Sequence, residues 1–147
     1  MINYVNEAEK ILKSRGTLTT ALINLERRRD RIIENKAPAE YSSIDFTTPY
    51  TSVKNVNDAL SDCLSIAEVV REIEVTRETI QEIDIVLSQL EPEENNILRL
   101  WYIERKPKEK ISVEMNYSSA TSVYDLRNKA VSHFALLYFG AGALASV

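Results

Sequence analysis

Apolar residues recur at helical intervals almost from the start of this chain. Ile11, Leu18, Leu25 and Ile32 are spaced by seven, and Leu12 and Leu22 widen the stripe. That spacing keeps one face of a helix apolar. Gly16 followed by "TLTT" weakens the middle of the series and predicts a short helix and then a longer one. A second series is more regular. Ile66, Ile73, Ile80 and Leu87 repeat every seven residues, and Val69, Thr76, Ile83 and Leu90 follow three behind each. These are the two inward positions of a heptad, so a helix over about 56–90 is predicted. Val56, Leu60, Cys63, Ala67 and Val70 extend an apolar stripe upstream in a shifted frame, which makes Cys63 a core thiol.

Between the two series, "APAEYSSIDFTTPYTSVKN" carries two prolines, many Ser and Thr, and no helical period. It predicts a connector over about 37–55, long for a compact domain. Tyr41, Ile44, Phe46 and Tyr50 predict that it packs down. The two series need partners, and an antiparallel hairpin over about 1–90 supplies them. Pairing between two chains, as a homodimer through the heptad helices, is equally allowed by the pattern.

After Leu90 the elements shorten. Pro92, followed by Glu93 and Glu94, fits the first turn of a helix. Ile97, Leu98, Leu100, Trp101 and Ile103 form its apolar part, and it ends before Pro107. A further helix is predicted over about 107–115 with Ile111 and Met115 inward, and Asn116 suits a left-handed turn. Another follows, with Val123, Leu126 and Ala130 inward and Ser118 or Ser119 as its cap. Phe134, Leu137 and Tyr138 continue it onto the core, and 140–147 is a tail. The fold class is therefore all-α: a long coiled-coil-like hairpin, then a C-terminal helix-turn-helix over about 91–139.

Charge separates the same two parts. The chain is -4 overall. Residues 1–98 hold 11 Lys+Arg against 18 Asp+Glu, a net of -7, whereas 99–129 hold 7 against 4, a net of +3. The one basic segment contains the two short helices, which favours a polyanionic partner there. Catalysis finds little support. His133 is the only histidine and sits among apolar neighbours, where it reads as a packing or surface residue. The pairs Glu68/Glu72 and Glu78/Glu82 read as solvated, and no Gly-rich phosphate loop exists. No reaction, metal or cofactor is expected. A single cysteine suits a reducing cytoplasm. The uncharged "FALLYFGAGALASV" falls short of the ~18 residues of a membrane span, so no membrane partner is expected.

A helix-turn-helix places its second helix in the major groove of double-stranded DNA. With 123, 126 and 130 inward, Ser119, Thr121, Ser122, Tyr124, Asp125 and Asn128 are the candidates to read bases. Lys106, Lys108, Lys110, Arg127 and Lys129 are the candidates to bind phosphate.

The stretch "LWYIERKPKEKISVEMNYSSATSVYDLRNKA" resembles the helix-turn-helix of phage and prophage late-transcription regulators of the RinA and ArpU type. These are similar in turn to region 4 of bacterial sigma factors. The resemblance rests on "LWYIE", on Glu109, Ile111 and Ser112 in the first helix, on Met115 to Ser118 at the turn, and on Val123 to Ala130. It covers most of the chain more loosely, though only about forty residues are motif-like. Asn116 stands where glycine is usual, and Ser118 to Val123 is one residue longer than the family spacing. The resemblance implies a phage-encoded transcriptional regulator that binds promoter DNA and contacts host RNA polymerase. Two alternatives share its parts: a terminase small subunit in DNA packaging, and a helical adaptor that binds protein alone.

Overall fold

The computed structural model describes the backbone of residues 1–42 and 49–147 and the side chains of residues 1–35 and 63–147. Among these residues every regular element is helical. Helix α1 spans Tyr4–Ser42, α2 Pro49–Gln89, α3 Pro92–Leu98, α4 Lys108–Glu114 and α5 Ala120–Phe139. A π-helical turn, Arg99–Ile103, continues α3, and a 3-10 turn, Gly140–Ala145, follows α5. The expected interruption at Gly16 does not occur, because α1 runs through it. A mid-helix glycine costs only ~1 kcal/mol. Here it follows the fully buried Leu12 and an Arg15 that grips Asp84 through two bonds of 2.7 and 2.9 Å. The connector narrows too: α1 reaches Ser42 and α2 starts at Pro49, while Ile44 and Phe46 lie outside the described residues, as do the side chains of Tyr41 and Tyr50.

The chain divides into two compact units, Met1–Leu18 with Thr79–Val147, and Thr19–Glu78. The division between these units falls inside the long helices. In the first unit, Ala8 and Leu12 of α1 and Ile83, Val86, Leu87 and Leu90 of α2 share one core with Ile97, Leu98 and Tyr102. Ile111 of α4, the Val123–Ala130–Phe134 stripe of α5 and Ala143 of the tail complete it. Each fully buried large side chain contributes roughly 1.5–3 kcal/mol relative to exposure. Tyr4 ties the chain start to the tail: its N–H donates to Ser146 Oγ at 3.2 Å and its ring meets Phe139 at 5.1 Å. Phe134 is fully buried and Tyr138 half-buried, but Leu137 is exposed, on the rim of a cleft shared with Gln89, Leu90 and Leu136.

In the second unit Val69, Ile73 and Thr76 are buried, and Arg77 pairs with Glu26 at 3.0 Å. Their burial, like that of Ile83, Leu87 and Leu90 in the first unit, follows the heptad frame. The shifted frame fails at two of its described positions: Cys63 and Ala67 are exposed while Val70 is half-buried, so Cys63 is not a core thiol. Stepping back by seven from Val69 reaches residue 62, which leaves Cys63 off the buried stripe.

Candidate nucleic-acid interface

The candidate interface comprises a short helix, a turn and a longer helix. Pro107, in extended backbone, precedes α4, and the fully buried Ile111 anchors that helix to the core. Asn116 then takes a positive φ of 57°, the left-handed turn expected of it. The reversal is closed twice: Tyr117 N–H donates to the Ser112 carbonyl at 2.9 Å, and Ser112 Oγ donates to the Tyr117 carbonyl at 2.8 Å. Of the two serines that can cap α5, Ser119 does so. Its backbone is extended and its Oγ accepts from the Ser122 N–H at 3.4 Å. That fixes the phase of α5, with Val123 and Ala130 fully buried and Leu126 half-buried against the core.

The candidate base readers separate into two groups. Ser119, Thr121, Asp125 and Asn128 are exposed. Ser122 is half-buried with its hydroxyl 3.1 Å from Ser119 Oγ. Tyr124 is also half-buried, edge-on to Trp101 at 5.5 Å, with the Lys108 ammonium 4.7 Å from its ring centroid. The candidate phosphate binders separate likewise. Lys108, Lys110 and Lys129 are exposed and have no ion pair among the described residues. Lys106 is held by Glu114 at 2.5 Å and Glu104 at 3.5 Å, and the Glu114 bond raises its pKa.

Arg127 stands apart from the other cations. Its guanidinium carbon lies 4.9 Å from the Trp101 ring centroid and 5.7 Å from that of Tyr124. Its Nη1 lies 3.5 Å from the Tyr102 hydroxyl and 3.6 Å from Glu9 Oε1, and its Nη2 donates to Asn128 Oδ1 at 2.8 Å. The Tyr102 hydroxyl donates to Glu9 Oε1 at 3.2 Å. Burial pushes the Tyr102 phenol up to about 12, with Glu9 adding to the rise and Arg127 opposing it. Arg127 therefore holds α5 against the π-helical turn and α1, with little freedom left to reach a phosphate.

No protein-family model, curated protein or solved structure matches the chain.

Sequence reasoning passed over Glu9, Lys13 and Arg105 and gave Trp101 and Tyr102 no role at the site. The "LWYIE" segment is visible in the sequence, but Glu9 lies some ninety residues away, and no spacing pattern links it to Arg127. Elsewhere, His133 is half-exposed with Nδ1 2.5 Å from Oε2 of the buried Glu94, an oxygen that no aligned donor satisfies. The pairs Glu68/Glu72 and Glu78/Glu82 are exposed. Among the described residues no group of three or more His, Cys, Asp or Glu is placed to hold a metal ion, and no helix is long and apolar enough to cross a membrane.

Proposed function

We propose that this chain is a phage-encoded, sequence-specific DNA-binding transcriptional regulator, with α4 and α5 acting as a sigma region 4-like helix-turn-helix. One observation carries the reading. The cap residue Ser119 and Thr121, Asp125 and Asn128 of α5 are exposed, and Lys108, Lys110 and Lys129 are exposed cations without carboxylate partners among the described residues. Asn is suited to adenine and Asp to the cytosine amine, while the lysines supply sequence-independent affinity through phosphate.

The long helices α1 and α2 would form an antiparallel hairpin that dimerises or offers host RNA polymerase a contact surface. The working compartment would be the bacterial cytoplasm, and no reaction is assigned. Selection of duplexes from a random pool tests the reading. A shared sequence motif is expected, and its enrichment should disappear with Asn128→Ala. A selected pool without a motif contradicts sequence-specific recognition. Ring-sized particles in light scattering would turn the reading towards DNA packaging.

A further inference from the structure

A second feature beside α5 is not used by the helix-turn-helix reading. The π-helical turn Arg99–Ile103 is followed at once by Arg105 in a left-handed conformation, φ 53°. Short π-helical turns and non-glycine residues at positive φ both cost energy and concentrate at functional sites. Here the two border one cleft of about 320 Å3, lined by Lys13, Trp101, Tyr102 and Arg105. The left-handed turn sends Arg105 back to α1, where its Nη2 donates to the Lys13 carbonyl at 3.4 Å. Both cationic side chains thus stand at one rim.

Charge at this rim is not balanced internally. Among the described residues Arg105 has no carboxylate within ion-pair distance, and Lys13 has Glu9 at 3.4 Å. That same Glu9 oxygen also receives Arg127 at 3.6 Å and the Tyr102 hydroxyl at 3.2 Å. One carboxylate therefore faces two cations and a phenol, and Arg105 adds a third cation. The rest of the lining is aromatic, Trp101 and Tyr102. Trp101 is half-buried, fixed in orientation by Arg127 and by Tyr124 at 64° to its plane.

We propose that this cleft takes one unpaired nucleotide, its phosphate met by Arg105 and Lys13 and its base lying against Trp101. Cationic grooves joined to aromatic platforms hold single-stranded nucleic acid in this way, and stacking tolerates any base. The volume lies at the lower end of the ~300–1,000 Å3 of small-ligand pockets, the scale of one nucleotide unit. The site goes beyond duplex recognition by α5 and does not depend on it.

The chain has a single tryptophan, and because Trp101 also touches Tyr124 and Arg127 of α5, the Arg105 and Lys13 variants separate a response at the cleft from one at α5. The full chain is titrated with adenosine 5′-monophosphate, with inorganic phosphate, with an oligo-dA single strand and with duplex DNA. Adenosine monophosphate or the single strand is expected to give a saturable change, with inorganic phosphate at least about tenfold weaker. Arg105→Asn, which still tolerates the left-handed backbone, and Lys13→Ala should each weaken binding about fivefold or more. Saturation by both supports a nucleotide site, and the tighter of the two shows whether the free nucleotide or the strand is its occupant. The proposal is overturned if neither produces a saturable change up to about 10 mM, or if both variants bind as the parent does. Duplex binding in a gel shift is scored separately. Its loss with the Trp101 response retained removes the regulator reading alone, and the reverse removes the nucleotide cleft alone.

Discussion

The guanidinium of Arg127 lies over the indole of Trp101, with 4.9 Å between its central carbon and the ring centroid. This contact, with Tyr102 and Glu9 behind it, joins α5 to the π-helical turn and to α1. Arg127→Ala should lower stability by about 1–3 kcal/mol, combining the cation–π contact with loss of its charged bonds to Tyr102 and Glu9. Arg127→Lys should recover little of that, since a point charge cannot stack as a planar guanidinium does. Urea denaturation of the two variants checks this. Equal stability of Arg127→Ala and the parent would place Arg127 on the surface.

The cap gives a sharper comparison, because two adjacent serines differ in role. Ser119→Ala should cost about 1 kcal/mol, the usual loss when a capping hydroxyl is removed. Ser118→Ala should stay within about 0.5 kcal/mol, as expected of an exposed residue without that bond. Thermal melts of both variants decide the phase of α5. A larger loss for Ser118→Ala would shift every outward residue of the helix.

Asn116 sits at φ 57°. Asn116→Gly should therefore leave stability unchanged or raise it by up to about 1 kcal/mol. Asn116→Val should lower it by about 1–2 kcal/mol, because a β-branched side chain resists the left-handed region. Chemical denaturation of the pair tests whether the turn is as described.

Much of this was legible in the sequence, for physical reasons that differ by element. The heptad frame marked Val69, Ile73, Thr76, Ile83, Leu87 and Leu90 for burial, since a repeated apolar face has one stable use. Pro92 and Asn116 were readable because proline fixes φ and asparagine tolerates the left-handed region. Arg127 was not. Its place depends on the π-helical turn, which re-aims Trp101, and on a carboxylate supplied by a distant helix. Cys63 failed for a similar reason: an apolar residue near a stripe reads like a member of it until the frame is fixed by packing. Gly16 does not interrupt α1, because propensity is a weak prior beside the buried Leu12 and the Arg15–Asp84 pair just before it.

The Tyr102 phenol predicts a pH dependence. Its pKa is raised to about 12, against about 10 for an unfolded tyrosine. The fold thus favours the protonated phenol, and this contribution is complete below pH ~10 and is lost as pH rises from ~10 through ~12. The stability difference between the parent and Tyr102→Phe should fall by about 2 kcal/mol across that window. Denaturation series from pH 9 to 12 measure it. A difference independent of pH would mean that the phenol is not buried against Glu9.

The salt dependence of duplex binding tests DNA recognition by α5 most directly. Fluorescence anisotropy of a labelled duplex selected by the chain is measured between about 50 and 200 mM salt, for the parent and for the triple variant Lys108→Ala, Lys110→Ala, Lys129→Ala. The parent's affinity should fall steeply with salt, and the triple variant should bind more weakly with a log–log slope shallower by about 2.7. Binding that ignores salt, or a triple variant with the parent's affinity and slope, would contradict recognition through α4 and α5.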